Sequence, residues 1–388
     1  MKQWSIEKSI RFLPYAVFVA TFERTVIAPM LLGMARDFNV TLATITLSAS
    51  IYLLFYGMAQ PVWGLISNRL GRTATLQLSL VLAGLTNLIS IIPMGIEPFI
   101  VIRAVAGACM AGVFPAAMIF IGDTVKNPKE RQPAIASLQT GVALALTLGT
   151  VLGGIGIVTI GWQAFFVITA LCSFIVAIVV RAMPNPKPGD ELLPVITSFK
   201  IVLSNPWSWV LFSLVFVEAG VLLGAFALIP SAMETEGSSA ILAGAVTGAY
   251  GIAVFFTSII VRRTATRTSR ARLLAIGGTC ASLGFLLIGF SVAPAVVLAG
   301  VALQGAAWVY MHTTLQTWIT MITNVARATA ISIFAGFMFL GNGAGAQISS
   351  LVLETLGPPA LFFGAFGSMV ALTVFAVLSS RRYEHRLG

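Results

Sequence analysis

Five ionisable residues lie inside long apolar stretches of this chain: Glu23, Arg24, Arg103, Glu218 and His312. A charge at the centre of a bilayer costs about 2.5–3.5 kcal/mol on insertion scales, so each of the five needs a partner or a task. Glu23 and Arg24 are sequence neighbours. On a helix they point about 100° apart and cannot face one spot. One is expected to face a central cavity and the other a neighbouring span. Arg103 is the expected partner of Glu23. The pair is either a permanent tie between two spans or a working site, in which Glu23 exchanges a proton or engages a cationic substrate while Arg103 tunes it or holds an anionic group. Glu218 has no arginine within a span of its half of the chain. That suits a proton carrier or a carboxylate awaiting a cationic substrate, and equally a neutral acid hydrogen-bonded to the next helix. Histidine changes charge near physiological pH, so His312 is either a third proton-coupling group or a neutral link between helices. Gln304, Trp308 and His312 recur at i, i+4 and i+8, which puts them on one helix face. Gln316 and, on a later stretch, Asn342 extend the polar set. The candidate substrate-binding residues are therefore Glu23, Arg24, Arg103, Glu218, Gln304, Trp308, His312, Gln316 and Asn342, with Glu23, Glu218 and His312 as proton-coupling candidates. Glu23, Glu218 and His312 do not form a spaced metal-ligand motif. No phosphate-binding glycine loop is present, so no nucleotide cofactor is implied.

The elements that position these residues follow from composition. The 388 residues are 58% hydrophobic and 9% charged, with mean hydropathy +0.96, where a soluble domain carries roughly 25% charged residues. A crossing helix needs about 20 apolar residues. Twelve such stretches are predicted, near 10–33, 43–66, 74–94, 98–122, 132–157, 161–182, 206–230, 239–261, 271–291, 294–322, 328–351 and 358–380. The expected class is an all-α membrane protein. Pro184-Asn185-Pro186-Lys187-Pro188-Gly189 interrupts the pattern near the middle, because proline cannot continue a helix. This gives an N-terminal six-helix bundle (1–183), a cytoplasmic linker (184–205) and a C-terminal six-helix bundle (206–388). A repeat supports the division. Arg131-Gln132-Pro133-Ala134-Ile135-Ala136-Ser137 and Arg327-Ala328-Thr329-Ala330-Ile331-Ser332-Ile333 open the fifth and eleventh stretches. At the same offset, Gly161-Trp162-Gln163-Ala164-Phe165-Phe166 and Gly357-Pro358-Pro359-Ala360-Leu361-Phe362 open the sixth and twelfth. Transporters built from two repeats place substrate between them near the bilayer midplane.

The net charge of +10 is not a nucleic-acid footprint. Only Arg36 falls in an outer connection and only Arg24 and Arg103 within spans; every other Lys and Arg falls on one side. That is the positive-inside pattern, with both termini cytoplasmic. The basic run 262–270 then reads as a topology and lipid-headgroup signal. Cys109, Cys172 and Cys280 sit inside apolar stretches and read as packing residues. The first stretch lacks a cleavable-signal pattern and is expected to direct insertion itself.

The segment Gly64-Leu65-Ile66-Ser67-Asn68-Arg69-Leu70-Gly71-Arg72-Thr73 resembles the loop between the second and third spans of the major facilitator superfamily, Gly-x-x-x-Asp-Arg-x-Gly-Arg-Arg. Its glycines suit a tight turn close to neighbouring backbone. Three further segments carry the resemblance. Arg103-Ala104-Val105-Ala106-Gly107 resembles the fourth-span Arg-x-x-x-Gly. Gly149-Thr150-Val151-Leu152-Gly153-Gly154 resembles the Gly-Pro-x-x-Gly-Gly of the twelve-span drug/proton antiporters. Gly161-Trp162 resembles a frequent start of the sixth span. The resemblance implies the major facilitator fold, two six-helix halves related by a pseudo-twofold axis, working as a monomer in the cytoplasmic membrane of a bacterium. It implies proton-coupled export of a small amphipathic organic compound by alternating access, with substrate, protons and membrane lipids as partners and no nucleic acid. Uptake of a specific metabolite is the alternative within transport; a polytopic membrane enzyme or a non-transporting sensor is the alternative outside it. The gating set implied is Gly64, Asn68, Arg69, Gly71, Arg72, Asp123, Gly149, Gly153 and Gly154. Asp123 is the nearest acidic partner for Arg69 or Arg72. Two positions depart from the family. Thr150 replaces the antiporter proline. Asn68 replaces the aspartate that in the family helps latch the cytoplasmic side in the outward-open state; an amide can still accept hydrogen bonds at a helix N-terminus but lacks the charge. Restoring the charge with Asn68→Asp is expected to favour the outward-open state, read as changed cysteine accessibility on the two sides of the membrane; an unchanged equilibrium would make the segment a topological relic.

Overall fold

A computed structural model describes residues 3–125, 128–186, 195–264, 268–323 and 326–385. Among them are helices and short turns, and no strand. Eleven helical ranges are long and apolar enough to cross a membrane. The last of these, Thr329–His385, holds 57 residues; as one rod it would run about 85 Å against a hydrocarbon core of about 30 Å. Gly357 lies inside it with φ 81° and ψ 176°, followed by Pro358 and Pro359, and divides it in two. The twelve spans are α1 (Ile6–Phe38), α2 (Leu42–Leu70), α3 (Arg72–Ser90), α4 (Ile96–Thr124), α5 (Pro133–Thr159), α6 (Trp162–Val180), α7 (Pro206–Thr235), α8 (Ala240–Val261), α9 (Arg270–Phe290), α10 (Pro294–Ile322), α11 (329–356) and α12 (358–385). The twelve-helix expectation holds. The first and seventh spans run longer than hydropathy alone suggests, because helix continues past the apolar window into their outer ends.

Local chemistry sets the ends. Thr41, Asn205 and Ser269 cap helices through side-chain oxygens that accept from the amides of Thr44, Trp207 and Arg272, each satisfying an otherwise orphaned donor. Gly71, Gly161 and Gly357 make the turns into α3, α6 and α12 at φ between 78° and 89°, a region glycine enters without a Cβ clash. The second and third of these are the paired span starts of the sequence repeat.

Every third span is interrupted. α1 passes through a 3-10 turn at Ala28–Met30. α4 is a helix Ile96–Met110 followed by a second, Val113–Thr124. α7 contains a π turn, Gly220–Ala225, then a 3-10 turn, Phe226–Leu228. α10 contains a π turn, Trp308–His312. These four spans carry all five ionisable residues singled out above. Single π turns inside α-helices concentrate at functional sites.

The halves α1–α6 and α7–α12 meet along α2–α11 and α5–α8. Gly57 abuts Gly336 and Phe339, Gly343 abuts the Ser50 carbonyl, and Gly154 abuts the Ala240 carbonyl and Gly244. Small residues let these backbones approach without a hydrophobic driving force. Among the described residues, the hydrogen bonds between halves converge on one peptide. The Ala43 amide donates to Glu354 Oε2 at 3.1 Å, and Gln347 Nε2 donates to the Ala43 carbonyl at 3.1 Å. These contacts run from mid-span toward the end of the bundle away from the basic turns, and they hold the halves together there. Of the linker at 184–205, residues 187–194 lie outside the described residues. Pro184–Pro186 packs on the α2–α3 turn: Asn185 Oδ1 accepts from the Thr73 amide at 3.0 Å, Asn185 Nδ2 donates to the Leu70 carbonyl at 2.9 Å, and the Thr73 hydroxyl donates to the Pro184 carbonyl. A short helix, Val195–Ser204, leads into α7.

The double variant Gln347→Ala/Glu354→Ala removes both bonds to Ala43 and is expected to open this end. Alkylation of a cysteine placed at Ser50 should speed up severalfold; an unchanged rate would show that the glycine contacts alone hold it shut.

Candidate functional site

Glu23 projects from α1 into its own half. Arg103 Nη2 lies 3.2 Å from Glu23 Oε1, and both side chains are 1% exposed. Arg103 Nη1 donates to Asn87 Oδ1 of α3 at 3.1 Å. The guanidinium lies over the rings of Tyr52 on α2 and Phe166 on α6, at 4.6 and 4.8 Å, an arrangement in which desolvated cation–π attraction offsets part of the burial cost. Gly107, one turn after Arg103, touches the backbone of Tyr52. A side chain there would push α2 away and lift the tyrosine ring off the guanidinium, which is the physical content of the Arg-x-x-x-Gly spacing. Asn87 and Tyr52 also face the Glu23 carboxylate, although Glu23 Oε2, Arg103 Nε, Asn87 Nδ2 and the Tyr52 hydroxyl make no hydrogen bond of good geometry. Asn87, Tyr52 and Phe166 escaped sequence reasoning. An asparagine inside an apolar span was a signal for Asn87; the two rings are indistinguishable from ordinary packing residues.

Arg24 leaves its neighbour and points across the divide, its guanidinium 5.3 Å from the ring of Phe339 on α11. Tyr56 of α2 packs on the same ring at 4.5 Å. The expected parting of Glu23 and Arg24 is observed, and it is the arginine that faces the second half.

In that half Glu218 pairs with His312. Nδ1 and Oε2 are 3.0 Å apart, and the glutamate is fully buried with its Oε1 unpartnered. Trp308 stacks on the imidazole, centroids 3.9 Å apart and planes 8° from parallel, and Phe334 closes another side at 5.8 Å. The π turn of α7 begins two residues after Glu218, and His312 ends the π turn of α10. Sequence reasoning named both residues without joining them.

Several expectations need correction. Gln304 does not join the Trp308–His312 stack: it is fully buried and its Nε2 reaches the Ala281 carbonyl of α9 at 3.5 Å, while the stacked pair brackets the π turn one helical turn further on. Gln316 and Asn342 are half-buried and join neither pair. Gly64 makes no turn: it lies within α2 with open space where a side chain would go, and Gly71 makes the turn. Asn68 does not face a helix N-terminus of the other half; its Oδ1 accepts from Arg72 Nη1 at 2.8 Å. Arg72, not Arg69, takes Asp123, at 2.8 Å through Nε, and also donates to Ser67 Oγ. Arg69 is exposed, with no ion pair among the described residues. Gly149 and Gly153 pack against Thr25, Val26 and Pro29 of α1, whereas Gly154 meets α8. The Thr150 hydroxyl bonds back to the Leu146 and Thr147 carbonyls, and α5 continues through it as a helix. Among the described residues no three His, Cys, Asp or Glu side chains converge into a metal-binding group.

Comparison with known proteins agrees with this geometry. The family model described as Major Facilitator Superfamily matches residues 15–326 and 224–387. An uncharacterized MFS-type transporter of Bacillus subtilis, YfhI, is 25% identical, covering 98% of both chains. Multidrug resistance protein MdtG of Escherichia coli is 26% identical over 86% of this chain and 83% of its own, and Multidrug resistance protein D of the same species is 26% identical over 67% and 64%. Among solved structures, a D-xylose-proton symporter superposes with TM-score 0.76 at 15% identity over 97% of each chain. A bacterial homologue of the human lysosomal transporter Spinster, inward-facing and unoccupied, superposes with TM-score 0.74 at 18% identity over 97% of each. At such identities the structural likeness speaks to fold alone.

Removing one partner of a buried ion pair typically costs about 3–5 kcal/mol. Arg103→Ala is therefore expected to lower the Tm in detergent markedly, and Arg103→Gln with Glu23→Gln to recover most of the loss. Equal destabilisation by the single and double variants would show that the stacked rings, not the charges, hold the cluster.

Proposed function

The chain belongs to the major facilitator superfamily and is a multi-pass membrane transporter rather than an enzyme, and we propose that it expels a small amphipathic organic compound in exchange for protons by alternating access. The observation that carries this reading is the buried Glu218–His312 pair. Both of its members can gain or lose a proton, whereas Glu23 faces a guanidinium that stays charged. In the pair, one proton can be shared between the imidazole and the carboxylate, and the unpartnered Oε1 leaves the carboxylate a further acceptor. Its place at two π turns suits a helix segment that changes register as the proton moves. Glu23 is a second carboxylate whose proton exchange requires Arg103 to leave it. A proton entering under the membrane potential supplies about 2.3 kcal/mol per 100 mV, sufficient for severalfold extrusion.

Orientation enters through the basic turns. With these on the cytoplasmic side of a bacterial inner membrane, the joined end of the bundle is the outer one, and the halves 1–183 and 206–388 rock about it with 184–205 as tether. Substrate then enters the gap between halves from the cytoplasm. The drug-resistance relatives support the outward direction. Thr150, through which α5 continues as an unbroken helix where the antiporters carry proline, supports a second reading: uptake through the same site.

Glu218→Gln in proteoliposomes is expected to keep substrate counterflow and lose flux driven by a pH gradient. Full proton-driven flux in that variant would overturn the assignment, and accumulation rather than depletion in intact cells would decide for uptake.

A further inference from the structure

The charges of the two buried clusters are answered within their own halves. Glu23 is answered by Arg103, and Glu218 by His312. Arg24 is different. It stands on the face of α1 that looks at the second half, and it is only partly buried. Among the described residues no carboxylate lies within ion-pair distance of it and no acceptor hydrogen-bonds it; its guanidinium lies over the face of Phe339. Aromatic groups from both halves surround it, and the Glu23 and Glu218 carboxylates, each engaged in its own pair, lie beyond these rings. Tyr56 packs on Phe339. Tyr52, Tyr56 and Tyr250 all lie within electrostatic reach of the guanidinium. Tyr250, on α8, packs against Phe226 at 4.6 Å, and its buried hydroxyl has no partner in the protein. A permanent cation inside a span is costly, and a single ring face recovers only part of that cost.

We propose that Arg24 is the recognition point for the acidic group of an organic anion bearing an aromatic or apolar body, held at the junction of the two halves. The guanidinium takes a carboxylate through two parallel N–H donors, and the unpartnered Tyr250 hydroxyl is a further donor from the opposite half. The body of the anion lies against Tyr56, Phe339 and Phe226. Because its polar contacts come from both halves, such a ligand draws α1 and α8 together as it binds. A cationic compound finds the opposite situation: it meets Arg24 uncompensated, while Glu218 is enclosed and already engaged by His312.

This inference rests on the transporter reading of the gap between halves, but its test needs no flux. Full-length protein in lipid nanodiscs is titrated calorimetrically at neutral pH with three isosteric probes: 2-naphthoate, 2-naphthamide and 2-naphthylmethylammonium. Naphthoate is expected to bind about tenfold or more tightly than either of the others, the advantage of one desolvated charge-assisted contact. Arg24→Gln should erase that preference while leaving naphthamide affinity unchanged, which also shows that the variant is folded, and Arg24→Lys should retain part of it. Tightest binding of the ammonium probe, an undiminished naphthoate preference in Arg24→Gln, or no binding of any probe at millimolar concentration would each overturn the proposal. The preference among the three probes is read at one fixed pH and without a gradient, so its failure leaves the Glu218 assignment standing, and failure of proton-driven flux leaves the anion preference standing.

Discussion

The cost of a charge in hydrocarbon governs this molecule. A single unanswered charge in a span consumes a large share of what a membrane helix gains by inserting. The two halves meet that constraint with different chemistry. The first uses a guanidinium, which stays charged, enclosed by a carboxylate, an amide and two aromatic faces. The second uses an imidazole and a carboxylate, both of which can change state, enclosed by an indole and a phenyl ring. One cluster is suited to rigidity and the other to change. A shared frame with divergent interiors accounts for Val301, fully buried where the fourth-span arginine of the first half would recur.

Helix irregularity follows the same division of labour. α2, α5, α8 and α11 are continuous, and they supply the glycine faces on which the halves meet. α1, α4, α7 and α10 are broken, and they hold the ionisable groups. Gly153 and Gly154 show how tightly the roles are joined: neighbours on α5, one seats α1 and the other seats α8. A shift of α1 is therefore felt at the α8 contact one residue further along α5, with no side chain between to absorb it.

Much of the fold was legible because hydropathy, proline and positive charge act over whole segments. The twelve spans, the central break and the Glu23–Arg103 tie all rest on such long or costly signals. What was not legible depends on helix phase. Gln304 stands at helical spacing from Trp308 and His312, but spacing does not tell which neighbouring helix each side chain reaches: Gln304 turns to α9 and the Trp308–His312 stack meets α7. A π turn leaves no composition mark in an apolar sequence. The meeting of Glu218 and His312 depends on two such turns at once. Asn68 misled for another reason: its neighbour four residues on, Arg72, satisfies it locally, and that geometry competes with any partner across the halves.

The clasp of Asn185 on the α2–α3 turn has a consequence for motion. Because Pro184–Pro186 is fastened to the first half, the chain leaves that half from the α2–α3 turn rather than from the end of α6, and helix resumes at Val195. That point of departure sits on the same turn as Arg72, whose Nε holds Asp123 at the end of α4, so a pull on the linker acts on the Gly64–Thr73 segment and through it on α4, rather than on the end of α6.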